Sequence, residues 1–147
     1  MDEFKDFTIE EAFNLAIQNH QNNNLQDAQN YYYKVLEINP NYVNAHNNLG
    51  IIFKELGEYQ KAKSCFERAI EIKSDYVDAL NNLGIIFKEL GEYQKAKSCF
   101  ERAIKINPNY VNAHYNLGNI FKELGEYQKA ESCFEKVIKI YNNQTLI

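Results

Sequence analysis

The sequence predicts an all-α fold, a stack of four helical hairpins, and two observations carry that reading. The string from Asn47 to Ile70 recurs unchanged from Asn81 to Ile104, at an offset of 34 residues. All six glycines fall in two columns at that spacing, Gly50, Gly84, Gly118 and Gly57, Gly91, Gly125, and Cys65, Cys99 and Cys133 form a third, while Pro40 and Pro108 lie two periods apart. Self-similarity at such a period marks a repeat architecture, in which each unit buries its apolar face against the next. The frame gives repeats at 9–42, 43–76, 77–110 and 111–144, with a leader at 1–8 and a tail at 145–147.

Within the second repeat, Ala45, Leu49, Ile52, Phe53 and Leu56 follow a spacing of three and four that marks the buried face of a first helix, helix A. Gly57 interrupts it and suits the left-handed conformation that closes many helices, and Glu58 follows where a carboxylate favours the positive end of the next helix. A second helical run, helix B, holds Tyr59, Ala62, Phe66, Ala69 and Ile70 and continues to Ile72 before the loop at Ser74 and Asp75. In repeats one and three the loop reads Asn-Pro-Asn, and proline cannot continue a helix because it lacks the N–H and clashes with the preceding turn. The first repeat departs most, with Asn19, Asn22 and Asn23 where the others have Phe, Leu and Gly, and its hairpin is the least strongly specified.

These residues resemble the tetratricopeptide repeat, with its period of 34 and its Leu-Gly, aromatic, Ala, aromatic, Pro pattern. In the third repeat the pattern reads Leu83-Gly84, Phe87, Ala96, Phe100, Ala103 and Pro108, and the resemblance extends over nearly the whole chain. The column usually filled by Trp holds Ala12, His46, Leu80 and His114. The resemblance implies a right-handed α-solenoid with helix A on the inside of a curved groove, and function through protein–protein contact as a peptide-binding scaffold.

The helix A positions not committed to packing are therefore the candidate site. One column holds Asn14, Asn48, Asn82 and Asn116, the same residue in all four repeats. A carboxamide offers both a donor and an acceptor, so such a column can hold successive peptide units of an extended chain. It is similar to the asparagine ladder in the superhelical repeats of the O-linked N-acetylglucosamine transferase, which implies a backbone-gripping role for these four positions alone. The competing reading is that these asparagines cap or bridge neighbouring helices. Flanking candidates are Asn44, Asp78 and Asn112, then Asn47 and Asn81 with Phe13 and Tyr115 in the same column, and Lys54, Lys88 and Lys122 with His20. Ile17, Ile51, Ile85 and Asn119 add a largely apolar strip. A chaperone C-terminal tail is disfavoured as the ligand, because the slots that would clamp its carboxylate carry Asp78 and Asn82 or Asn112 and Asn116, with no Arg.

Composition and spacing narrow the remaining classes. A net charge of −4 with pI about 5.4 supplies no basic field for nucleic acid. No apolar stretch approaches the roughly 20 residues of a membrane span, and the acidic opening lacks the flank of a secretory signal, so a cytoplasmic location is expected. No enzyme activity, cofactor or metal is expected. Ser64 and Ser98 have no activating base placed by the repeat, no Gly-Lys-Ser turn exists, and no closely spaced Cys or His pair starts a zinc site. The cysteines sit on neighbouring B helices, about 8–10 Å apart, beyond disulfide reach, and are expected to be reduced. His46 and His114 are expected to pack between helices, and His20 stands isolated. The alternative expectation is a self-associating structural module, a homodimer through the apolar face of the fourth B helix (Phe134, Val137, Ile138, Ile140), or the targeting region of a larger, glycosyltransferase-like protein.

Overall fold

The computed structural model describes residues 6–146, and among these the secondary structure consists of eight α-helices. The chain divides between Lys73 and Ser74 into two compact units. The first holds α1 (Ile9–Gln21), α2 (Leu25–Ile38), α3 (Val43–Glu55) and α4 (Tyr59–Ile72). In it α1 pairs with α2, α3 pairs with α4, and α2 packs against α3. The second holds α5 (Val77–Glu89), α6 (Tyr93–Ile106), α7 (Val111–Glu123) and α8 (Tyr127–Thr145). There α5 pairs with α6, α7 pairs with α8, and α7 rests on both α5 and α6.

Three of the four hairpins close on the same contact, a helix A glycine beneath a helix B aromatic ring. A Cβ added to Gly84 would stand 2.5 Å from Cε1 of Phe100, and the same construction at Gly50 meets Phe66 at 2.5 Å. The missing side chain thus lets an aromatic ring of helix B lie directly on the backbone of helix A. Phe66 and Phe100 are fully buried, and Ala62, Ala69, Ala96 and Ala103 around them are equally enclosed. Burying each ring contributes about 1.5–3 kcal/mol. In the first repeat Ala16 and Tyr32 occupy the equivalent positions, and both are completely buried.

The turns explain why the hairpins recur so faithfully. Gly57, Gly91 and Gly125 have φ of 74°, 76° and 77°. At each, two backbone bonds satisfy the open carbonyls of helix A: Glu58 N–H donates to Phe53 O at 2.8 Å and Gly57 N–H to Lys54 O at 3.0 Å, and the later turns repeat this. The first repeat forms the same turn without glycine. Asn23 takes φ of 61°, Asn24 N–H donates to Asn19 O at 2.8 Å and Asn23 N–H to His20 O at 3.0 Å. Asparagine tolerates this conformation better than other side chains, so the sequence-divergent hairpin closes by the same geometry as its neighbours. Thr8 starts α1 with a capping box: its hydroxyl accepts from Glu11 N–H, and the Glu11 carboxylate accepts from Thr8 N–H.

Helix B begins at Glu58, Glu92 and Glu126, as the carboxylate placement predicts, yet none of these side chains caps the backbone. Each pairs instead with the lysine three residues on, Glu58–Lys61 at 2.6 Å and both Glu92–Lys95 and Glu126–Lys129 at 2.5 Å. The Lys129 ammonium holds the Glu126 carboxyl below its usual range. His46 and His114, in the column that Trp usually fills, donate Nε2–H to the carbonyls of Pro40 and Pro108 at 2.8 and 2.7 Å. The donor assignment follows because a carbonyl can only accept. These histidines pin each Asn-Pro-Asn loop to the helix A that follows it, and the repeat whose loop lacks proline has buried Leu80 in their place.

Two glycine substitutions separate the two roles. Gly84→Ala forces the Phe100 ring to move and is expected to cost about 1–3 kcal/mol as overpacking. Gly91→Ala meets open space but adopts a left-handed φ, and should cost about 1–2 kcal/mol. Urea unfolding of both variants checks this; an unchanged midpoint for Gly84→Ala would mean that the ring contact does not limit hairpin closure.

Candidate functional site

The four asparagines of the central column do not share one environment. Asn14 is exposed and makes no side-chain hydrogen bond among the described residues, while Asn48, Asn82 and Asn116 are half-buried. In the first unit Asn48 Nδ2 donates to the hydroxyl of Tyr32 at 3.1 Å, tying α3 to α2. In the second, Asn116 Nδ2 donates to Asn81 Oδ1 at 3.0 Å, tying α7 to α5. Two of the column's members therefore do bridge neighbouring helices, as the competing reading anticipates. The bridge uses one of the two N–H bonds, and among the described residues the Asn48 and Asn116 oxygens accept no hydrogen bond, so each carboxamide is held at a fixed angle with an acceptor still available.

The acceptor of each bridge follows from the neighbouring column. Asn81 supplies it in the second unit. In the first unit the position in register with Asn81 is Phe13, which has no acceptor, and the Tyr32 hydroxyl replaces it. Tyr32 is fully buried; burial pushes its phenol above the ordinary value, and the Asn48 bond acts against that shift. The sequence signal was present, since Tyr32 is the single Tyr in a column otherwise filled by Phe66, Phe100 and Phe134. Phe13 also packs on Tyr32 and Tyr42, with ring centroids 5.9 and 5.0 Å away, and in the second unit exposed Tyr115 holds the same column and packs on Phe134 with centroids 5.9 Å apart.

Asn47 and Asn81 need correction as surface contacts. They are only 4% and 5% exposed. Helix A turns these side chains inward against its neighbours, and Asn81 acts by orienting Asn116 from beneath. At the start of the second unit's A helices, exposed Asp78 accepts the Tyr110 hydroxyl at 2.5 Å, and Asn112 also bonds that phenol. Burial first, and then the Asp78 carboxylate, holds the Tyr110 phenol well above its usual range. Asn44 is exposed. Lys54 and Lys88 are half-buried and Lys122 exposed, all three in the last turn of a helix A, where the carbonyl end of the helix dipole favours a cation whatever else the lysines do. His20, the fourth member of that column, is not isolated: Nε2 lies 3.0 Å from Glu55 Oε2, and the pair lines a small open hollow with Leu25.

Against this geometry, the tetratricopeptide-repeat profile matches residues 8–75, 44–109 and 75–143. The chain belongs to the tetratricopeptide-repeat family. Its fold class is the all-α solenoid of that family. A solved structure of MamA is similar to this chain at 24% identity, with TM-score 0.87 over 95% of this chain and 82% of that one. A MamA RS-1 double mutant gives 21% identity and TM-score 0.84 over 97% and 79% of the two chains. MamA residues 41 to the end from Desulfovibrio magneticus RS-1 give 20% identity and TM-score 0.84 over 93% and 77%. Identities at this level establish the shared fold alone. No curated protein matches the sequence. Membership of the tetratricopeptide family supports a protein–protein interaction or scaffold role.

Among the described residues no group of three His, Cys, Asp or Glu side chains could hold a metal ion, and no helix is long and apolar enough to cross a membrane. Cys65, Cys99 and Cys133 are partly buried and form no disulfide with one another. Burial pushes the Cys65 thiol from an ordinary 9.0 up to about 11. A thiol must ionise to react, so alkylation of native Cys65 at pH 8 should run about a hundredfold slower than for an exposed thiol and accelerate only towards pH 11. Peptide mapping after an iodoacetamide pulse measures it, and rapid labelling at pH 8 would show that the helix B face opens.

Asn81→Ala orphans the Asn116 N–H and is expected to lower stability by about 1–3 kcal/mol. Asn14→Ala should leave stability within about 0.5 kcal/mol. Chemical denaturation of the two variants checks the contrast, and equal effects would contradict the supporting role of Asn81.

Proposed function

We propose that this protein binds an extended peptide segment of a partner along the exposed faces of its A helices. The observation that carries the reading is the pair of carboxamides, Asn48 in the first unit and Asn116 in the second, each oriented by a donated hydrogen bond and each retaining an acceptor oxygen. A fixed carboxamide accepts from a peptide N–H with little further loss of rotamer freedom, so pre-orientation favours binding. Asn14 and Asn82 extend the same register at one position per repeat. Around them Asn44, Asp78 and Asn112 offer polar contacts and Lys54, Lys88 and Lys122 positive charge, with apolar contact from Ile51 and Ile85. Selectivity then differs between the units: Phe13 and Tyr42 favour an aromatic or aliphatic side chain at the first, and the Asp78–Tyr110 rim a polar or cationic one at the second.

The test is capture of partners by the wild-type chain and by an Asn48→Ala, Asn82→Ala, Asn116→Ala variant whose helicity is verified by circular dichroism. Each lost peptide bond is worth about 0.5–1.5 kcal/mol, so affinity for a groove-bound partner should fall at least about tenfold. Asn14→Ala, which breaks no internal bond, should weaken binding in the same direction without destabilising the fold. Partners retained equally by all three chains would remove the A-helix faces as the binding surface.

A further inference from the structure

The second unit contains an internal template for what one face of a B helix receives. On α6, Lys97 stands over the ring of Phe121 on α7, 5.6 Å from its centroid, and pairs with Glu101 one turn on at 3.9 Å. Glu101 in turn acts electrostatically on Lys129 and Cys133 of α8. This face therefore carries the following hairpin, and under that hairpin Phe100 and Ala103 are completely buried.

Among the described residues the same face of α8 receives no further helix, and its chemistry is changed at the decisive position. Phe134, in register with Phe100, is half-buried, and Ile138, Tyr127 and Tyr141 are 59%, 69% and 55% exposed. An open hollow of about 400 Å³ is lined by apolar Ala130, Phe134 and Ile138, by the acids Glu131 and Glu135, and by Lys122 of α7. Lys63 and Lys97 each pair with a glutamate four residues on, Glu67 and Glu101. In α8 the lysine position is Glu131, so Glu131 and Glu135 form a like-charged pair one turn apart, a spacing that disfavours the helix. Neither carboxylate has an ion-pair partner among the described residues, although Lys139 stands one turn beyond Glu135.

We propose that this face of α8 docks a basic amphipathic helix of another polypeptide. The helical form of the occupant follows from the template, where α6 receives α7. Its apolar stripe lies on Phe134 and Ile138, and its Lys or Arg residues meet Glu131 and Glu135. A second copy presenting α1 fits less well. The α1 residues in register with Ala113, Ile120 and Phe121 of α7 are Glu11, Gln18 and Asn19, a polar face that would leave the hollow's apolar lining unmatched. Of the A-helix residues proposed to contact a peptide, Lys122 alone also borders this docking surface.

The experiment titrates the intact chain with three labelled 18-residue synthetic peptides, followed by fluorescence anisotropy. One has a Leu/Ala stripe flanked by lysines, one carries glutamates in place of the lysines, and one scrambles the basic peptide so that charge is kept and the stripe is lost. The basic striped peptide is expected to bind in a salt-dependent manner, about tenfold more weakly to Glu131→Lys/Glu135→Lys and unchanged to the charge-matched control Glu37→Lys/Glu89→Lys. Glu131→Gln/Glu135→Gln should show the same direction of loss, which protects the result against misfolding of the reversed-charge variant. Equal binding of the scrambled or acidic peptide, or no effect of either α8 variant, overturns the proposal. A concentration-dependent dimer that Ile138→Asp abolishes, with no peptide binding, also overturns it and assigns the face to a second copy.

Discussion

The contact between a helix A glycine and a helix B aromatic ring is the constraint on which the rest depends. With Phe100 lying where a Cβ of Gly84 would stand, the two helices of a hairpin approach until their backbones limit them. That approach sets which side of helix A is used up. Leu83, Ile86 and Phe87 turn inward, and the residues between them are left to neighbours and ligands. A ring seated on bare backbone has few alternative rotamers, so the hairpin is a rigid block, and rigid placement is what makes a surface built from A helices reproducible from repeat to repeat.

Asparagine on such a surface serves two purposes that are not in conflict. A half-buried carboxamide with no internal bond would be costly, and the bridges to Tyr32 and Asn81 remove that cost. They also hold the side chain in one orientation. The units meet this demand differently because Phe13 has no oxygen to offer, and a hydroxyl added to an aromatic core residue supplies it. The substitution Phe to Tyr in α2 and the substitution Asn to Phe in α1 are thus two halves of one adjustment.

Departures from the repeat are informative wherever they coincide. Asn23 lacks the hydrogen side chain of its glycine counterparts yet adopts their left-handed geometry, so the turn survives. Asn19 and Gln18 replace an aromatic and an aliphatic residue, which makes α1 polar on the side that α7 buries. At α8 the single change from Lys to Glu at position 131 turns an ion pair into an acid pair beside exposed Ile138. Repeats two and three contain none of these changes.

The sequence by itself determined the hairpins, because backbone geometry at Gly57, Gly91 and Gly125 and the spacing of apolar residues act over a few residues and recur at 34. It also determined which columns lie on helix A. Tertiary structure alone decided which column members reach solvent. Asn47 and Asn48 are adjacent, and a rotation of 100° per residue sends one inward to 4% exposure and leaves the other at the edge. Tertiary structure likewise brought His20 to Glu55 across 35 residues and Tyr110 to Asp78 across 32. Such pairings depend on how one hairpin is offset against the next, a quantity that side-chain packing sets and that no local spacing encodes.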